Sequence, residues 1–481
     1  MAPSKTRYEF GGPLGAAAIM VGLPLLFNVL YLTCNDKTGC PAPILLTPRE
    51  LTWEKLKSQI PLPQDGIRGF ASWEVTGWLL TYYMFSMILF VALPAQTVTG
   101  TKLRESGRCL PYKFNSAFSS TLVQLVIAAV GTYIQGSKFV VWMFITDNYL
   151  QLLTASLILS FGISIWVYAR SFGVKPGNRD LRELAVNGHT GNVIYDFFIG
   201  RELNPRVTLP VFGEIDVKTW LEMRPALTSW ILLNLAFVAK QHRNYGRISN
   251  SILLTTAMQT YYALEGQYFE EGLLRMMDVT TDGLGFMLTF GNITLVPFLY
   301  STQCRYLAVY PVDLSTPAVA AIGAVYALGL YIFRAANDQK LRFRMQPDHP
   351  SVRGLPYLQT KRGTKLLTGG WWGMSRHMNY LGDWIQAIPF SISTGLAGYL
   401  ILPASLAGAS PEAMVMADGR VVVQGAAKGW GMIFTYAYVF WFGILLIHRE
   451  GRDTAACAEK YGDDWEKYKK IVRWKIIPGI Y

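Results

Sequence analysis

The chain has 481 residues, of which 51% are hydrophobic and only 16% are charged, and its mean hydropathy is +0.24. These values exclude an ordinary soluble enzyme and indicate a polytopic membrane protein. The net charge is +12 at pH 7, but the basic residues lie next to apolar runs and form no recognisable binding module, so we expect no nucleic-acid partner.

Apolar runs long enough to cross a hydrocarbon core of about 30 Å recur along the chain. They predict ten spans, near residues 13–33, 75–95, 116–135, 149–169, 226–240, 250–265, 284–300, 316–333, 385–405 and 430–447. The fifth and sixth are short, and they are either a re-entrant pair or wrongly bounded. We therefore predict an all-α, polytopic transmembrane fold of about ten spans. A single membrane domain would cover residues 1–481, with spans and a long loop in 1–300.

Basic residues concentrate after the second span, between Arg334 and Arg376, and after Arg449. By the positive-inside rule these segments and both chain termini face the cytosol. The loops at 36–74 and 406–428 then lie on the opposite side. Anionic lipid or a phosphorylated cofactor are alternative reasons for the basic excess.

Lys240, Arg243 and Arg247 conflict with this orientation, because the order of ten spans places them on the far side. Cys34 and Cys40 flank a short polar loop on that side and either pair or remain free thiols. The cysteines and histidines show no metal-ligand spacing, so no metal site is predicted.

Two short hairpins are predicted outside the spans. One follows the long connection after Arg170, where VFGEIDVKTW begins with an alternating pattern. The other lies in 406–428, with a turn at Ala417 to Gly419.

A first candidate site segment lies just after the eighth span. Lys340 and Arg344 are one helical turn apart and share a helix face, which suits a phosphate group. A lipid headgroup is the alternative ligand for this pair.

A second segment, GGWWGMSRHMNYLGDW, combines three glycines with the flat rings of Trp371, Trp372 and Tyr380. His377 and Asn379 can hydrogen-bond an amide or a ribose. An interfacial aromatic belt is the alternative, although a belt needs neither the glycines nor the polar residues.

A third segment begins at the end of the last span. Asp453 lies four residues after Arg449, and Tyr461, Trp465 and Tyr468 recur at helical spacing. This helix could close over the second segment, and a solvated amphipathic tail is the alternative. No GxGxxG motif opens a helix after a strand, so any dinucleotide must bind outside a Rossmann fold.

A fourth segment carries carboxyl groups beside or within apolar spans, namely Glu265, Glu270, Glu271, Asp278 and Asp282. Such groups are costly unless they are paired or functional. Arg275 is close enough in sequence to pair with one of them, and structural pairing is the alternative to catalysis. A carboxyl group in an apolar pocket has a raised pKa and can act as an acid near neutrality. Tyr262 and Tyr300 are the other nearby proton donors.

Four blocks of sequence carry a family resemblance: GNVIYDFFIGRELNPR at 191–206, DGLGFMLTFG at 282–291, GGWWGMSRHMNYLGD at 369–383, and HREGRD with KYGDDWEKY in 448–468. On these blocks the chain closely resembles the membrane sterol reductases, which include the delta-14 sterol reductases and the reductase region of the lamin B receptor. DVKTWLEMRPALTSW at 216–230 is most similar to the delta-14 branch. The chain departs from the common pattern at Ala226 and Asn292, where relatives usually carry Gly and often Asp.

The resemblance implies a multi-pass protein of the endoplasmic reticulum membrane that binds NADPH in its C-terminal half. The sequence resemblance carried by the C-terminal blocks implies a cytosolic cofactor pocket in 301–481. The implied cofactor contacts are Lys340, Arg344, Leu367, Trp372, Asn379, Tyr380, Asp453, Cys457, Tyr461 and Tyr468. The implied partners are a sterol substrate, membrane lipid and other enzymes of the sterol pathway.

The implied reaction is reduction of the C14=C15 double bond of a sterol intermediate. An isolated alkene must be protonated before it can accept a hydride, so the site needs an acid and a dry pocket. The acid candidates are Tyr262, Asp453 and Glu265. The alternatives are reduction of a delta-24(28) or delta-7 bond, a sterol-binding scaffold or transporter, and a methyltransferase that uses S-adenosylmethionine on prenylated cysteine.

Overall fold

Helices dominate the computed structural model, which describes residues 8–63, 65–175, 177, 181–211, 213–406 and 413–481. The helices are α1 (Gly12–Thr33), α2 (Trp53–Gln59), α3 (Trp73–Ala92), α4 (Ser116–Gln135), α5 (Val140–Asp147), α6 (Tyr149–Ser171), α7 (Val193–Ile199), α8 (Val217–Leu221), α9 (Leu227–Tyr245), α10 (Asn250–Tyr268), α11 (Met277–Thr280), α12 (Phe286–Phe290), α13 (Val296–Tyr300), α14 (Thr302–Leu307), α15 (Thr316–Met345), α16 (Trp371–Met374), α17 (Met378–Ile392), α18 (Met432–Thr435), α19 (Ala437–Tyr461) and α20 (Asp463–Ile471).

Short strands occur between the helices, but the chain is mostly helical, as predicted. They are β1 (Gly39–Cys40), β2 (Gln96–Lys102), β3 (Cys109–Phe114), β4 (Arg206–Leu209), β5 (Gly213–Asp216), β6 (Tyr357–Gln359), β7 (Lys365–Leu367), β8 (Tyr399–Leu402), β9 (Met414–Val415) and β10 (Val421–Val423). The two predicted hairpins are confirmed, because β4 pairs with β5 and β9 pairs with β10, both antiparallel.

Within the described residues, six helical stretches are long and apolar enough to cross a membrane. They are Gly12–Thr33, Arg68–Ala92, Ser116–Lys138, Tyr149–Ser171, Thr316–Met345 and Met432–Tyr461. The predicted spans at 226–240 and 250–265 are also helical, but their helices carry more polar residues. The predicted span at 284–300 consists of two short helices on either side of a π-helical turn. The structure therefore supports a helical membrane protein, and the count of ten spans stays a prediction.

The predicted span at 385–405 is wrong as a continuous helix. Helix α17 ends at Ile392, and Tyr399–Leu402 form a strand instead. Gly395 and Gly398 have φ angles of 61° and 143°, which side-chain-bearing residues rarely adopt. These glycines end the helical path inside a run that is apolar throughout, so hydropathy alone does not reveal the break.

Two π-helical turns interrupt helical paths of the N-terminal half, at Glu222–Ala226 and at Gly291–Leu295. Pro225 lies inside the first turn and Pro297 follows the second, and proline offers no backbone N–H for an α-helical bond. Helices α8 and α9 continue on either side of the first turn, so the predicted fifth span began too late. The two departures from the family pattern, Ala226 and Asn292, lie one in each π turn.

The described residues form two compact units. The first draws on Met1–Ile248, Thr256–Pro311 and Leu396–Phe434, and the second on Ser249–Thr255, Val312–Gly395 and Thr435–Tyr481. The organisation into one domain with halves at 1–300 and 301–481 stays a prediction.

Polar side chains join the helices of the first unit at membrane depth. Ser156, Ser160 and Ser164 recur every four residues on α6 and so share one face. The first two lie 3.0 and 3.1 Å from the Thr294 hydroxyl, and the third lies 2.5 Å from the Thr289 hydroxyl. Small hydroxyl-bearing residues let helices approach closely and hydrogen-bond where no water is available.

At one end of the first unit, β1, β8, β10 and β9 form a sheet in that order. The disulfide between Cys34 and Cys40 closes the loop that leads into β1. Lys240 at the end of α9 lies 2.5 Å from the Asp36 carboxylate of this loop, and Arg243 donates to the Thr146 hydroxyl. Two of the three cations that conflicted with the positive-inside rule, Lys240 and Arg243, therefore have partners within the protein.

In the second unit, α15 packs against α17 at glycines on both helices. A Cβ atom at Gly329 would lie 2.4 Å from the backbone nitrogen of Gln386, and one at Gly382 would lie 2.5 Å from that of Phe333. The two backbones therefore approach as closely as glycine allows. This contact places the C-terminal end of α15, which we predict to face the cytosol, beside the segment that precedes α17.

We predict that Gly382→Ala lowers the free energy of unfolding by about 1–3 kcal/mol, because the added methyl group must separate the two helices. Thermal unfolding in detergent, followed with a thiol-reactive dye, measures the change. Gly323→Ala on α15 is the matched control, since nothing lies within 4 Å of its Cβ position. Equal melting temperatures for the two variants would contradict the packing argument.

Candidate functional site

The second unit contains a cleft of about 290 Å³ at the end of α15. Its walls are the end of α15, the β6–β7 hairpin, the double-tryptophan turn at α16, and α19 with α20. It is lined by Lys340, Phe343, Arg344, Lys365, Leu366, Leu367, Trp372, Arg376, Asp453, Ala456, Cys457, Lys460, Tyr461, Trp465 and Tyr468. Eight of the ten cofactor residues implied by the resemblance are in this set.

Lys340 and Trp372 form the wall contributed by α15 and α16. The Lys340 ammonium lies 3.9 Å from the centroid of a Trp372 ring, within cation–π range. The indole N–H of Trp372 donates to the Ala336 carbonyl at 2.8 Å, and this buried side chain is therefore fixed. Gly370 has a φ of 62°, and a Cβ atom there would lie 2.4 Å from the Gln339 amide nitrogen. Glycine at this position thus lets the tryptophan turn close against α15.

Asp453 on α19 is oriented by His377. The His377 Nε2 atom lies 3.0 Å from the Asp453 carboxylate, and its Nδ1 atom lies 3.3 Å from the Lys475 carbonyl. Both ring nitrogens face acceptors, which fixes the plane of the imidazole. The Cys457 thiol, one turn along α19, lies 3.8 Å from the same carboxylate.

Asn379 and Tyr380 are not among the described residues that line the cleft. The Asn379 amide donates to the Asn337 side chain at 3.2 Å, and the Tyr380 ring stacks on His377 at 4.9 Å between centroids. Tyr380 therefore supports the histidine that holds Asp453, and the role of both residues as cofactor contacts stays a prediction.

The aromatic residues of the third segment stack along the opposite wall. Trp465 lies 5.1 Å from Tyr468 and 6.5 Å from Tyr461, centroid to centroid. Burial raises the pKa of Tyr468 above its ordinary value, so this hydroxyl stays protonated at neutral pH. The wall offers flat faces to a planar ring system.

Four further residues line the cleft, namely Lys365, Arg376, Lys460 and Trp465. Arg376 and Trp465 belong to the second and third candidate segments, and Lys460 lies between the implied contacts Cys457 and Tyr461. With Lys340 and Arg344, the described lining holds five cationic side chains against the single carboxylate of Asp453. Such an excess suits a ligand with several phosphate groups. The sequence feature that could have indicated Lys365 is the basic KRGTKLL run, but such a run is equally typical of a cytosolic loop.

Two buried donors of this lining have no hydrogen-bond partner among the described residues. These are the indole nitrogen of Trp465, whose side chain is 3% exposed, and the Nε atom of Arg376, which is 6% exposed. The terminal nitrogen of Arg376 donates to the Val472 and Arg473 carbonyls, each at 2.9 Å. A buried donor without a partner costs about 1–3 kcal/mol, and a ligand rich in acceptors can recover that cost.

The three acid candidates do not belong to one unit. Tyr262 and Glu265 lie on the part of α10 that belongs to the first unit, where the Tyr262 ring is 6.0 Å from Trp230. Asp453 belongs to the second unit and lines the cleft. Which of these candidates is the acid therefore stays a prediction.

Three acidic residues of the fourth segment, Glu270, Asp278 and Asp282, contact cationic side chains of the first unit. Glu270 lies 3.4 Å from Arg224, both side chains are 1% exposed, and the backbone N–H groups at the start of α4 also reach the carboxylate. Lys218 donates to the carbonyls of Asp278 and Asp282 at 2.6 and 2.5 Å. The Arg224 contact supports structural pairing for Glu270. Its partner comes from a distant part of the chain and not from the neighbouring Arg275.

Burial raises the pKa of Glu270 from 4.5 to about 7, against the opposing effect of Arg224. Between these values the unfolded chain releases a proton that the folded chain keeps, so stability falls as the pH rises. We predict that the melting temperature of Glu270→Gln depends less on pH between about 4.5 and 7 than that of the parent chain. Thermal unfolding across this range measures it, with Glu271→Gln as control. An unchanged pH dependence in Glu270→Gln would refute the assignment.

Comparison with known proteins shows similarity over nearly the full length of the chain, beyond the four sequence blocks. The model of the "Ergosterol biosynthesis ERG4/ERG24 family" matches residues 4–481. The chain is 64% identical over 480 residues to the delta(14)-sterol reductase ERG24B of Gibberella zeae, with 100% of both chains covered. It is 54% identical over 481 residues to the delta(14)-sterol reductase of Neurospora crassa, covering 100% of this chain and 97% of the relative. It is 38% identical over 492 residues to the delta(14)-sterol reductase ERG24 of Candida albicans, covering 100% and 98%.

Proposed function

Because the chain belongs to the ERG4/ERG24 family of ergosterol biosynthesis, we propose that it is an NADPH-dependent delta(14)-sterol reductase. The relatives at 64% and 54% identity over their full lengths both carry that name. The observation that carries the cofactor part of the proposal is the cleft, where cationic and aromatic side chains surround a single carboxylate.

The residues of the cleft fit a dinucleotide with phosphate groups. Lys340 and Arg344 would hold phosphate oxygens from one wall, and the stacked rings of Trp465 and Tyr468 would accept a planar base from the other. When bound, NADPH supplies a hydride to the substrate.

The chain itself must supply a proton, because the isolated C14=C15 bond has no carbonyl to accept electrons. A proton delivered to C15 leaves a tertiary cation at C14, which water must not reach. Asp453 is the acid candidate of the cleft, and His377 holds its carboxylate in place at 3.0 Å. Tyr262 is the candidate of the first unit, with Glu265 one turn further along α10.

The proposed location is the endoplasmic reticulum membrane, with ten spans and both termini in the cytosol. The disulfide between Cys34 and Cys40 favours an oxidising compartment for the loop at 36–74. The Lys240–Asp36 contact joins the end of α9 to that loop, which removes the main objection to this orientation. A sterol substrate, membrane lipid and other enzymes of the pathway are the proposed partners.

Purified chain in detergent should oxidise NADPH when a delta-14 sterol is added. The absorbance at 340 nm and the sterol product by mass spectrometry measure it. Reduction of a delta-24(28) or delta-7 sterol instead would move the chain to another branch. Binding of sterol without NADPH oxidation would indicate a scaffold, and either result would overturn the proposal.

We predict that Tyr262→Phe lowers turnover by about 10²-fold or more and leaves the Kd for NADPH nearly unchanged, because only the proton donor is lost. Single-turnover kinetics and NADPH binding by fluorescence separate the two effects. Tyr261→Phe is the matched control, since Tyr261 is the neighbouring tyrosine and is 48% exposed. Near-normal turnover in Tyr262→Phe would exclude Tyr262 and leave Asp453 and Glu265 as the acid candidates.

A further inference from the structure

Charge is distributed unevenly along the cleft. Asp453 lies seven residues before Lys460 on α19, and a rise of about 1.5 Å per residue separates them by about 10 Å. Lys460, Arg344 and Lys365 lie toward the ends of their elements, at Tyr461, Met345 and the hairpin turn. Arg362 of the hairpin turn donates to the Lys460 carbonyl at 3.1 Å, so the turn before Lys365 meets the end of α19. Lys365 and Lys460 therefore make this end of the cleft cationic, and Asp453 lies away from it. A dianionic phosphate is repelled by Asp453 and attracted to the cationic end.

The β6–β7 hairpin is held firmly against α20. The backbone N–H of Lys361 donates to the Asp464 carboxylate at 2.7 Å, and Arg362 donates to the Lys460 carbonyl at 3.1 Å. Leu358 and Leu366 of the hairpin pack on the cluster of Trp465, Tyr468 and Val472. The backbone of Lys365 therefore has a fixed position beside Trp465.

The Lys365 ammonium lies 4.6 Å from the centroid of the Tyr357 ring, across the hairpin. Lys365 is exposed and lines the cleft. A cation–π contact at an exposed site is worth only about 0.5–1 kcal/mol. A phosphate group at the cationic end can therefore draw the ammonium away from Tyr357 at small cost.

The indole N–H of Trp465 provides an independent observation at the same end. It is a buried donor without a partner among the described residues, and its ring lines the cleft next to Lys460 and Tyr461. An acceptor oxygen of the ligand would satisfy it.

We propose that Lys365 and Trp465 form, with Lys460, the subsite for the adenosine 2′-phosphate, and that this subsite makes the cleft selective for NADPH over NADH. The inference rests on the proposed function, since it assumes that the cleft binds a pyridine nucleotide. In this proposal the β6–β7 hairpin and α20, and not only Lys340 and Arg344 of α15, determine the preference for NADPH over NADH.

The test uses the full chain in detergent and compares equilibrium binding of NADPH, NADH and 2′,5′-ADP by calorimetry. Lys365→Ala should weaken NADPH and 2′,5′-ADP by about tenfold, which is the effect of losing one charge-assisted contact, and should change NADH by less than twofold. Trp465→Phe keeps the stacked ring and removes the N–H, so it should weaken the same two ligands several-fold.

Matched controls are available for both variants. Lys361→Ala lies on the same hairpin, and its side chain is 74% exposed. Trp474→Phe makes the same chemical change in a residue that is 39% exposed and outside the cleft lining. Both controls should bind all three ligands like the parent chain.

The outcomes distinguish the inference from the proposed function. If the parent chain binds neither NADPH nor 2′,5′-ADP, the proposed function fails. If it binds both, the proposed function stands and the two variants decide the inference. The assignment of the subsite is wrong if Lys365→Ala and Trp465→Phe bind the ligands like the parent chain, or if they weaken the binding of NADH and NADPH equally.

Discussion

The structure depends on one constraint, which is that polar groups in apolar surroundings must find partners within the protein. The α6 hydroxyls meet the threonines of the facing helices, Arg224 meets Glu270, and Lys218 meets two carbonyls. These pairs connect helices of the first unit and explain why the chain carries charged residues close to apolar runs. The cleft differs from this pattern, because five cationic side chains of its described lining face one carboxylate. A ligand with several anionic groups can supply the charge that the protein does not.

The cleft also depends on support from residues that do not line it. His377 holds Asp453, and Tyr380 stacks on His377 from behind. Arg376 and His377 are in turn held by carbonyls of the segment after α20. Family motifs such as RHMNY therefore mix lining residues with residues that position them. A substitution that removes the Tyr380 ring would also act on Asp453, because that ring supports His377.

Much of the fold and of the site could be predicted from the sequence, because hydropathy and helical spacing depend on local residues. The six strongly apolar helices and both hairpins agree with those patterns. Eight of the ten cofactor residues implied by the family resemblance line one cleft. The break after Ile392 could not be predicted, since the residues on both sides are apolar and the strand depends on pairing with β1 and β10. The proximity of Lys365 to Trp465 could not be predicted either, because it results from packing between the hairpin and α20 across about one hundred residues of chain. The pairing of Glu270 with Arg224 is similarly a long-range contact, which a search among near neighbours cannot find.

The glycine contact between α15 and α17 has a consequence for how a rigid tetracyclic molecule reaches the protein. With the two backbones touching at Gly329 and Gly382, this seam has no room for a steroid nucleus to slip through from the acyl chains. Lateral entry into the second unit must therefore use a different seam. The seam at these glycines acts as a closed side, and it restricts the directions from which a bulky lipid can arrive.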